Sequence, residues 1–131
     1  MTDTAVPEQL DIPGDDGRHR LGATRVANEV VAQIAALTAL EVSGVHALYH
    51  ATGNQGQLDR ILRRSGAHRG VRVELMDDDT LRLDLYVVME AGVDLPRMGA
   101  EVQRKVADAI DRMLGLGLRE VNIFVSEVAF S

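Results

Sequence analysis

Few residues in this sequence belong to the types that carry out catalysis, and their spacing does not match a catalytic motif. The chain contains no cysteine, which excludes thiolate chemistry and a disulfide framework. No serine or threonine lies in a nucleophile motif. Acidic residues occur in pairs, but on predicted solvent faces, where nothing would shift their pKa toward values useful in acid–base catalysis. The sequence therefore predicts that the protein is not an enzyme.

Metal and cofactor sites also lack the necessary spacing. The histidines are His19, His46, His50 and His68. Only His46 and His50 could share one side of a strand, and no carboxylate completes a ligand set near them. The aspartates at 77–79 lack the alternating spacing of a calcium loop and favour a solvated hairpin turn. The glycines at 115 and 117 follow a helix instead of opening one, unlike a dinucleotide fingerprint. We predict no metal ion and no cofactor.

The composition limits the possible partners. The chain has 131 residues and a formal net charge of −6. This charge disfavours non-specific binding to nucleic acid, although a local basic patch could still bind it. No apolar run approaches the roughly 18–20 residues that span a bilayer, and the N-terminus is acidic instead of signal-like. We expect a single domain that does not insert into a membrane, so another protein would have to bring it to one.

Function must therefore depend on surfaces, and surfaces depend on the elements that position them. Aliphatic residues occupy every odd position of a strand over residues 81–90, which places them all on one side. Asp94 can cap the helix that follows, and the first turn of that helix tolerates Pro96. The predicted buried stripe of this helix steps by three and four and consists of Leu95, Met98, Val102, Val106, Ala109, Ile110 and Met113.

The other elements are shorter. A first helix is predicted over residues 28–40, and its buried stripe is Val30, Ile34 and Leu37, widened by Val31, Ala35 and Leu40. A short strand over residues 45–49 should direct Val45, Ala47 and Tyr49 to one side. A strand at 71–75 forms an antiparallel hairpin with the central strand, and a last strand covers 120–128. Residues 1–20 have no apolar period and are predicted to be a disordered acidic tail.

This order of elements, α-β-β-β-α-β, predicts the fold class. It favours an α+β fold with a single domain over residues 21–131. The sheet should be mostly antiparallel, with three to four strands, and both helices should pack on one of its faces.

One feature of the predicted sheet is unusual. The side that should meet water carries the apolar residues Tyr86, Val88, Phe124, Val128 and Phe130. An antiparallel sheet covered on one face normally alternates to polar residues on the other. A large exposed apolar area usually marks an interaction surface. We predict self-association or a protein partner at this surface. The alternative is that the acidic tail or the loop over residues 51–70 covers it.

The loop over residues 51–70 contains a short basic segment. Arg60, Arg63 and Arg64 surround apolar residues at helical spacing. This pattern is typical of a loop that covers the core with solvated arginines, and a basic contact site is the alternative. If the arginines grip phosphates, the order of elements would suit a small nucleic-acid-binding module of the KH type. However, the Gly-x-x-Gly loop of that module is missing and the net charge is unfavourable.

Several short segments of the sequence occur in a specific order and spacing. They are Leu40-Glu41-Val42-Ser43-Gly44-Val45, Gly70-Val71-Arg72-Val73, Leu83-Asp84-Leu85-Tyr86-Val87-Val88, Gly92, Leu95-Pro96, Val102-Gln103, Val121-Asn122-Ile123-Phe124-Val125, Val128 and Phe130. Together these segments resemble the alkaline shock protein family, also described as envelope stress response proteins of Gram-positive bacteria. The resemblance covers roughly residues 21–130.

The resemblance implies a small non-enzymatic protein of the cytoplasm. It implies a scaffold or adaptor in cell-envelope homeostasis under stress that self-assembles. A separate integral membrane partner would hold it near the membrane. The family offers no catalytic residues to transfer to this sequence. The acidic extension and the arginines at 60, 63 and 64 depart from the family pattern, so the resemblance does not specify the partner.

Overall fold

The structure is a computed structural model that describes residues 9–11, 22–49, 67–68 and 70–130. Within these ranges the chain forms two helices and a series of strands. In chain order they are β1 (Gln9–Asp11), β2 (Arg25–Ala27), α1 (Asn28–Leu40), β3 (Val45–Leu48), β4 (Ala67–His68), β5 (Val71–Leu75), β6 (Leu81–Glu90), α2 (Leu95–Leu114) and β7 (Leu118–Ala129).

Strand β6 is the centre of the main sheet. One of its edges pairs in parallel with β7 along the whole strand. Its other edge is shared, because β5 pairs antiparallel with the first half of β6 and β3 pairs antiparallel with the second half. β4 extends the sheet beyond β5, while β1 and β2 form a separate two-stranded ribbon. The predicted α+β class and mostly antiparallel sheet are confirmed, although the last strand runs parallel to its neighbour.

The two strands that share an edge of β6 meet at Tyr86. Its backbone N–H donates to the Gly70 carbonyl at 2.8 Å, and its carbonyl accepts from the Tyr49 N–H at 2.7 Å. Gly70 has φ +81°, and a Cβ at this position would lie 3.0 Å from both the backbone N and the backbone O of Tyr49. Only glycine can adopt this dihedral angle and also allow the backbone of Tyr49 to come so close. The junction therefore depends on the absence of a side chain at residue 70.

Both helices pack on the same face of the sheet, as predicted. The odd-numbered aliphatic residues of β6 form the floor of the core, and Val71 and Val73 of β5 extend it. The buried stripe of α2 includes Met98, Val102, Val106, Ala109 and Ile110. Its ends follow the sequence signals, because the Asp94 side chain accepts from the Arg97 N–H at 3.4 Å and Gly115 ends the helix in the left-handed conformation. Leu95 and Met113 are exposed, so the buried stripe is narrower than predicted.

The predicted buried stripe of α1 is wrong in part, because Val31 and Ala35 are buried and Ile34 packs against the core, but the other three predicted residues are exposed. The buried residues are small ones, namely Val31, Ala32, Ala35, Ala36 and Ala39. Val30, Leu37 and Leu40 are 40%, 57% and 44% exposed. The reason is that α1 contacts α2, β3 and β5 at once, and elements this close leave room only for alanine-sized side chains between them. A stripe of alanines therefore faces the core, while the larger aliphatic residues lie outside.

The prediction for β3 is wrong in one respect, because the strand contains an irregularity at His46. Val45 pairs with Met89 and Ala47 pairs with Val88, so one residue of β3 has no counterpart in β6. The side chains on either side of His46 are consequently out of phase. Val45 and Leu48 are the buried residues that join the core, and Ala47 lies with Val88 on the other face.

The N-terminal tail is not wholly without structure. Gln9 to Asp11 pair antiparallel with Arg25 to Ala27, which is a departure from the predicted disordered tail at those three residues. The rest of residues 1–20 lies outside the described residues, and so does most of the loop over residues 51–70, including Arg60, Arg63 and Arg64.

Candidate interaction site on the open sheet face

The side of the main sheet opposite α1 and α2 is called the open face here. Its most prominent feature is a pair of aromatic rings. Tyr86 and Phe124 are direct partners in the parallel register of β6 and β7. Their rings stack with centroids 5.1 Å apart and an interplanar angle of 17°. Phe124 is 45% exposed and Tyr86 is half-buried. This aromatic pair is an exposed apolar surface in a position where polar residues are normal.

The stacking follows from the register of the strands. Directly paired residues of neighbouring strands direct their side chains to the same face, about 5 Å apart. Two aromatic residues in that relation stabilise each other by about 0.5–1.5 kcal/mol beyond their burial. The rings are thus held in one orientation by their mutual contact.

The structure distributes the other predicted surface residues differently. Val88 lies on the open face but is only 5% exposed, so it packs instead of offering contact area. Ser126 has no counterpart in β6, because Val87 pairs with Val125 while Val88 pairs with Glu127. This irregularity places Val128 opposite Met89, whose side chain joins the core. Val128 therefore lies on the helix side of the sheet, and its predicted position beside Phe124 is wrong.

Phe130 is also separate from the aromatic pair. It follows the end of β7 and is 82% exposed. Together with His46, Glu90 and Ala129 it borders a surface hollow of about 310 Å³ at the end of the sheet. Of the predicted apolar set, the structure therefore brings Tyr86 and Phe124 together as exposed contact area and places Phe130 at a second exposed position.

A polar cluster adjoins the aromatic pair along the open face. Asp84 lies two residues before Tyr86 in β6, so its side chain is on the same face. It is only 5% exposed. It accepts a hydrogen bond from Asn122 Nδ2 at 2.9 Å, and Arg72 and Arg82 lie 3.7 Å and 3.9 Å from its Oδ2. A carboxylate this buried is retained only where charged or hydrogen-bonding partners surround it. The cluster ties β5, β6 and β7 together across the open face.

This cluster makes a stability prediction. Replacing Asp84→Ala should lower the free energy of unfolding by about 1–3 kcal/mol, because Asn122 and the two arginines lose a buried acceptor. Chemical denaturation measures the loss. Glu74→Ala is the comparison, since Glu74 pairs with Arg82 at 2.6 Å on a more exposed part of the same face and should cost less than about 1 kcal/mol. Equal losses in the two variants would contradict the role given to Asp84.

The turn between β5 and β6 is a solvated hairpin turn, as predicted. The Asp78 carboxylate accepts from the Thr80 hydroxyl and, at 3.1 Å, from the Thr80 N–H. These bonds lower the pKa of Asp78, and Arg119, with Nη1 3.4 Å from Oδ2, lowers this pKa further. Both side chains are exposed, and their ion pair links the turn to the start of β7.

Within residues 9–11, 22–49, 67–68 and 70–130, no group of three or more histidine, aspartate and glutamate side chains is arranged to hold a metal ion. None of the helices in those ranges combines the length and the apolar character needed to cross a membrane.

Sequence reasoning missed one exposed surface. The outer side of α1 carries Val30, Leu37 and Leu40, which the hydrophobic pattern assigned to the core. The available signal was the second stripe of the same helix, composed of alanines at the same helical spacing. A helix that carries both a large and a small apolar stripe places the small one inward when its neighbours are close.

Comparison with known proteins identifies the group to which this chain belongs. It is 28% identical to the uncharacterized protein YloU of Bacillus subtilis over 85% of this chain and 92% of that protein. It is 32% identical to the uncharacterized protein YqhY of the same species over 84% of this chain and 79% of that protein. The uncharacterized protein Spy1614 of Streptococcus pyogenes is 25% identical over 82% of this chain and 88% of that protein. No solved structure matches significantly.

The family match agrees with these relatives and with the segments named above. The model of one family covers residues 16–130, which include both helices and the whole main sheet. The chain therefore belongs to the alkaline shock protein 23 family, whose function is related to the cell envelope.

Proposed function

We propose that this protein is a non-enzymatic scaffold or adaptor in cell-envelope homeostasis under stress. It self-associates, and an integral membrane partner recruits it from the cytoplasm to the membrane. The observation that carries the proposal is the exposed, stacked Tyr86–Phe124 pair on the open face. The cell envelope-related function of the family supplies the setting.

The geometry of the aromatic pair suits a docking site. Aromatic residues are enriched at the centres of protein interfaces, where they give large contact area. Ordering flexible side chains on binding costs roughly 0.5–1.5 kcal/mol for each one. Rings that already stack against each other avoid much of that cost. The aromatic pair is therefore preorganised for binding.

The surroundings of the aromatic pair support the same proposal. On the same face, β6 and β7 continue into Asp84 and Asn122, and Arg82 lies one further step along β6. An apolar centre with a polar border is the usual anatomy of a protein–protein interface. The border would favour a partner surface with complementary polar groups next to an apolar pocket.

A paired substitution tests this proposal. Tyr86→Lys with Phe124→Asp should abolish self-association or partner capture, because two charges would replace the apolar contact area. Light scattering after size exclusion measures the mass, and pull-down from native membranes followed by identification of the bound protein measures capture. The matched control is Leu37→Asp, which places a charge at an exposed apolar position on the helix side.

Wild type and the Leu37→Asp control should behave alike, and the double variant should differ from both. If wild type and the double variant are both monomeric and neither recovers a partner from membranes, the proposal is wrong. If the control loses binding and the double variant retains it, the docking surface is α1 and not the aromatic pair.

A further inference from the structure

β7 presents a long outer edge to its surroundings. Within the described residues, β7 pairs only with β6, so the other edge of this 12-residue strand has no strand beside it. A long edge strand is a template for pairing with another chain unless something blunts it. Lysine and proline, which commonly do so, are absent from β7. Three other features of the structure act on this edge.

The first feature is a side chain from α2. Gln103 Nε2 donates a hydrogen bond to the Val121 carbonyl at 3.0 Å. The backbone N–H of an added strand would need this same acceptor. Ala107, one turn further along α2, lines with Gln103 a hollow of about 400 Å³ beside residues 118–122. α2 therefore borders the first half of the edge, and one of its side chains already occupies an edge carbonyl.

The second feature is the pair of irregularities in β7. Arg119 and Ser126 have no counterpart in β6, which limits the regular stretch to residues 120–125. Alternate residues of a strand direct their backbone groups to the same edge, so Val121, Ile123 and Val125 share the outer one. Because Gln103 occupies the carbonyl of the first, an added strand keeps full access to only two of the three.

The third feature is charge. In an antiparallel pair of two copies centred on the regular stretch, Val121 faces Val125 and Ile123 faces its own copy. The skipped residue Ser126 then sets Glu120 of each copy opposite Glu127 of the other. Both glutamates are exposed. Like charges on facing residues destabilise a strand pair, and the symmetry of the pair creates this contact twice.

We propose that these features together close the β7 edge to strand addition by a second copy of this chain, with the Gln103 side chain in the place of an incoming backbone N–H. The inference concerns the self-association in the proposed function, because it confines that association to surfaces other than this edge. Association through the open face brings further β7 edges close together. Closed edges keep such an assembly from continuing as an uncontrolled sheet.

An edge-opening variant tests the inference. Gln103→Ala frees the Val121 carbonyl, and Glu120→Lys replaces the repulsion between copies by attraction to the facing glutamate. Both changes are made in the Tyr86→Lys, Phe124→Asp background, so that the aromatic pair contributes no association. We expect the combined variant to gain a concentration-dependent dimer that the background lacks, with a dimer fraction at least severalfold higher. Light scattering after size exclusion measures it.

The matched control reverses the charge match. Adding Glu127→Lys to the edge-opening variant sets lysine opposite lysine and should abolish the new dimer. Circular dichroism and urea denaturation confirm that each variant is folded. If the folded edge-opening variant gains no dimer, or if the added Glu127→Lys leaves the dimer unchanged, the inference is wrong. Either result leaves the proposed function intact, because the open face is disabled in all of these chains.

Amide hydrogen exchange provides a second measurement on the unaltered chain. The N–H groups of Ile123 and Val125 point away from β6, whereas those of Asn122 and Phe124 point toward it. With a closed edge, the first two should exchange faster than the second two at every protein concentration. Slowing of exchange at Ile123 and Val125 as the protein is concentrated would show strand pairing at this edge and overturn the inference. Self-association by mass and capture of a membrane partner test the proposed function separately.

Discussion

A Gly70→Ala variant should lose roughly 2–4 kcal/mol of unfolding free energy, a large part of the 5–15 kcal/mol typical of a small domain. Two effects combine at this residue. Its φ of +81° is unfavourable for any residue with a Cβ, and that Cβ would meet the backbone of Tyr49 at 3.0 Å and the Tyr86 carbonyl at 3.2 Å. Because all three neighbouring atoms belong to backbone, they can move away only if the strands separate.

Two other glycines separate the effects of strain and contact. Gly92 has φ +86° with no atom near a Cβ, so Gly92→Ala should cost only the dihedral strain, about 1–2 kcal/mol. Gly99 lies within α2 with open space around it, and Gly99→Ala should stabilise the protein by about 0.5–1 kcal/mol. Urea denaturation of the three variants gives the series. A Gly70→Ala loss no larger than that of Gly92→Ala would contradict the close junction at Tyr86.

An Ala35→Leu variant should lose about 1–3 kcal/mol, because the added carbon atoms have no space in the core. Ala35 is fully buried in the part of α1 that faces its neighbours. The larger side chain would have to move α1 away from α2 and β5, and this would loosen the core along the whole helix. Thermal and chemical denaturation both measure the loss.

Leu37→Ala is the matched substitution on the same helix. Leu37 is 57% exposed, so the change should alter stability by no more than about 0.5 kcal/mol. The hydrophobic pattern alone predicts the opposite, since a buried leucine replaced by alanine costs about 2–5 kcal/mol. A large loss for Leu37→Ala with a small one for Ala35→Leu would show that the larger stripe faces inward.

The contrast between α1 and α2 shows where local pattern is informative. In α2 the buried stripe, the capping Asp94 and the terminal Gly115 all agree with one placement of the helix. In α1 two apolar stripes compete, and periodicity does not rank them. Which stripe is buried depends on how closely α1 approaches the rest of the molecule. The sequence of the helix alone does not specify that distance.

The candidate site divides in the same way. The aromatic character of Tyr86 and Phe124 is readable from the sequence, and the alternation of β6 already places Tyr86 away from the core. Their direct stacking required the parallel register of β6 and β7. The sequence alone predicts the wrong face for Val128, because the irregularity at Ser126 has no reliable sequence signal. One skipped residue reverses the face of every side chain beyond it.

The sequence by itself determined the central strand, the long helix after it and the α+β class. These features depend on the order of residues within one element, and hydrophobic period and capping residues express that order directly. The tertiary structure alone decided which side of α1 is buried and where the strands skip a residue. Those features depend on distances between elements far apart in the chain, and such distances arise only when the elements pack together.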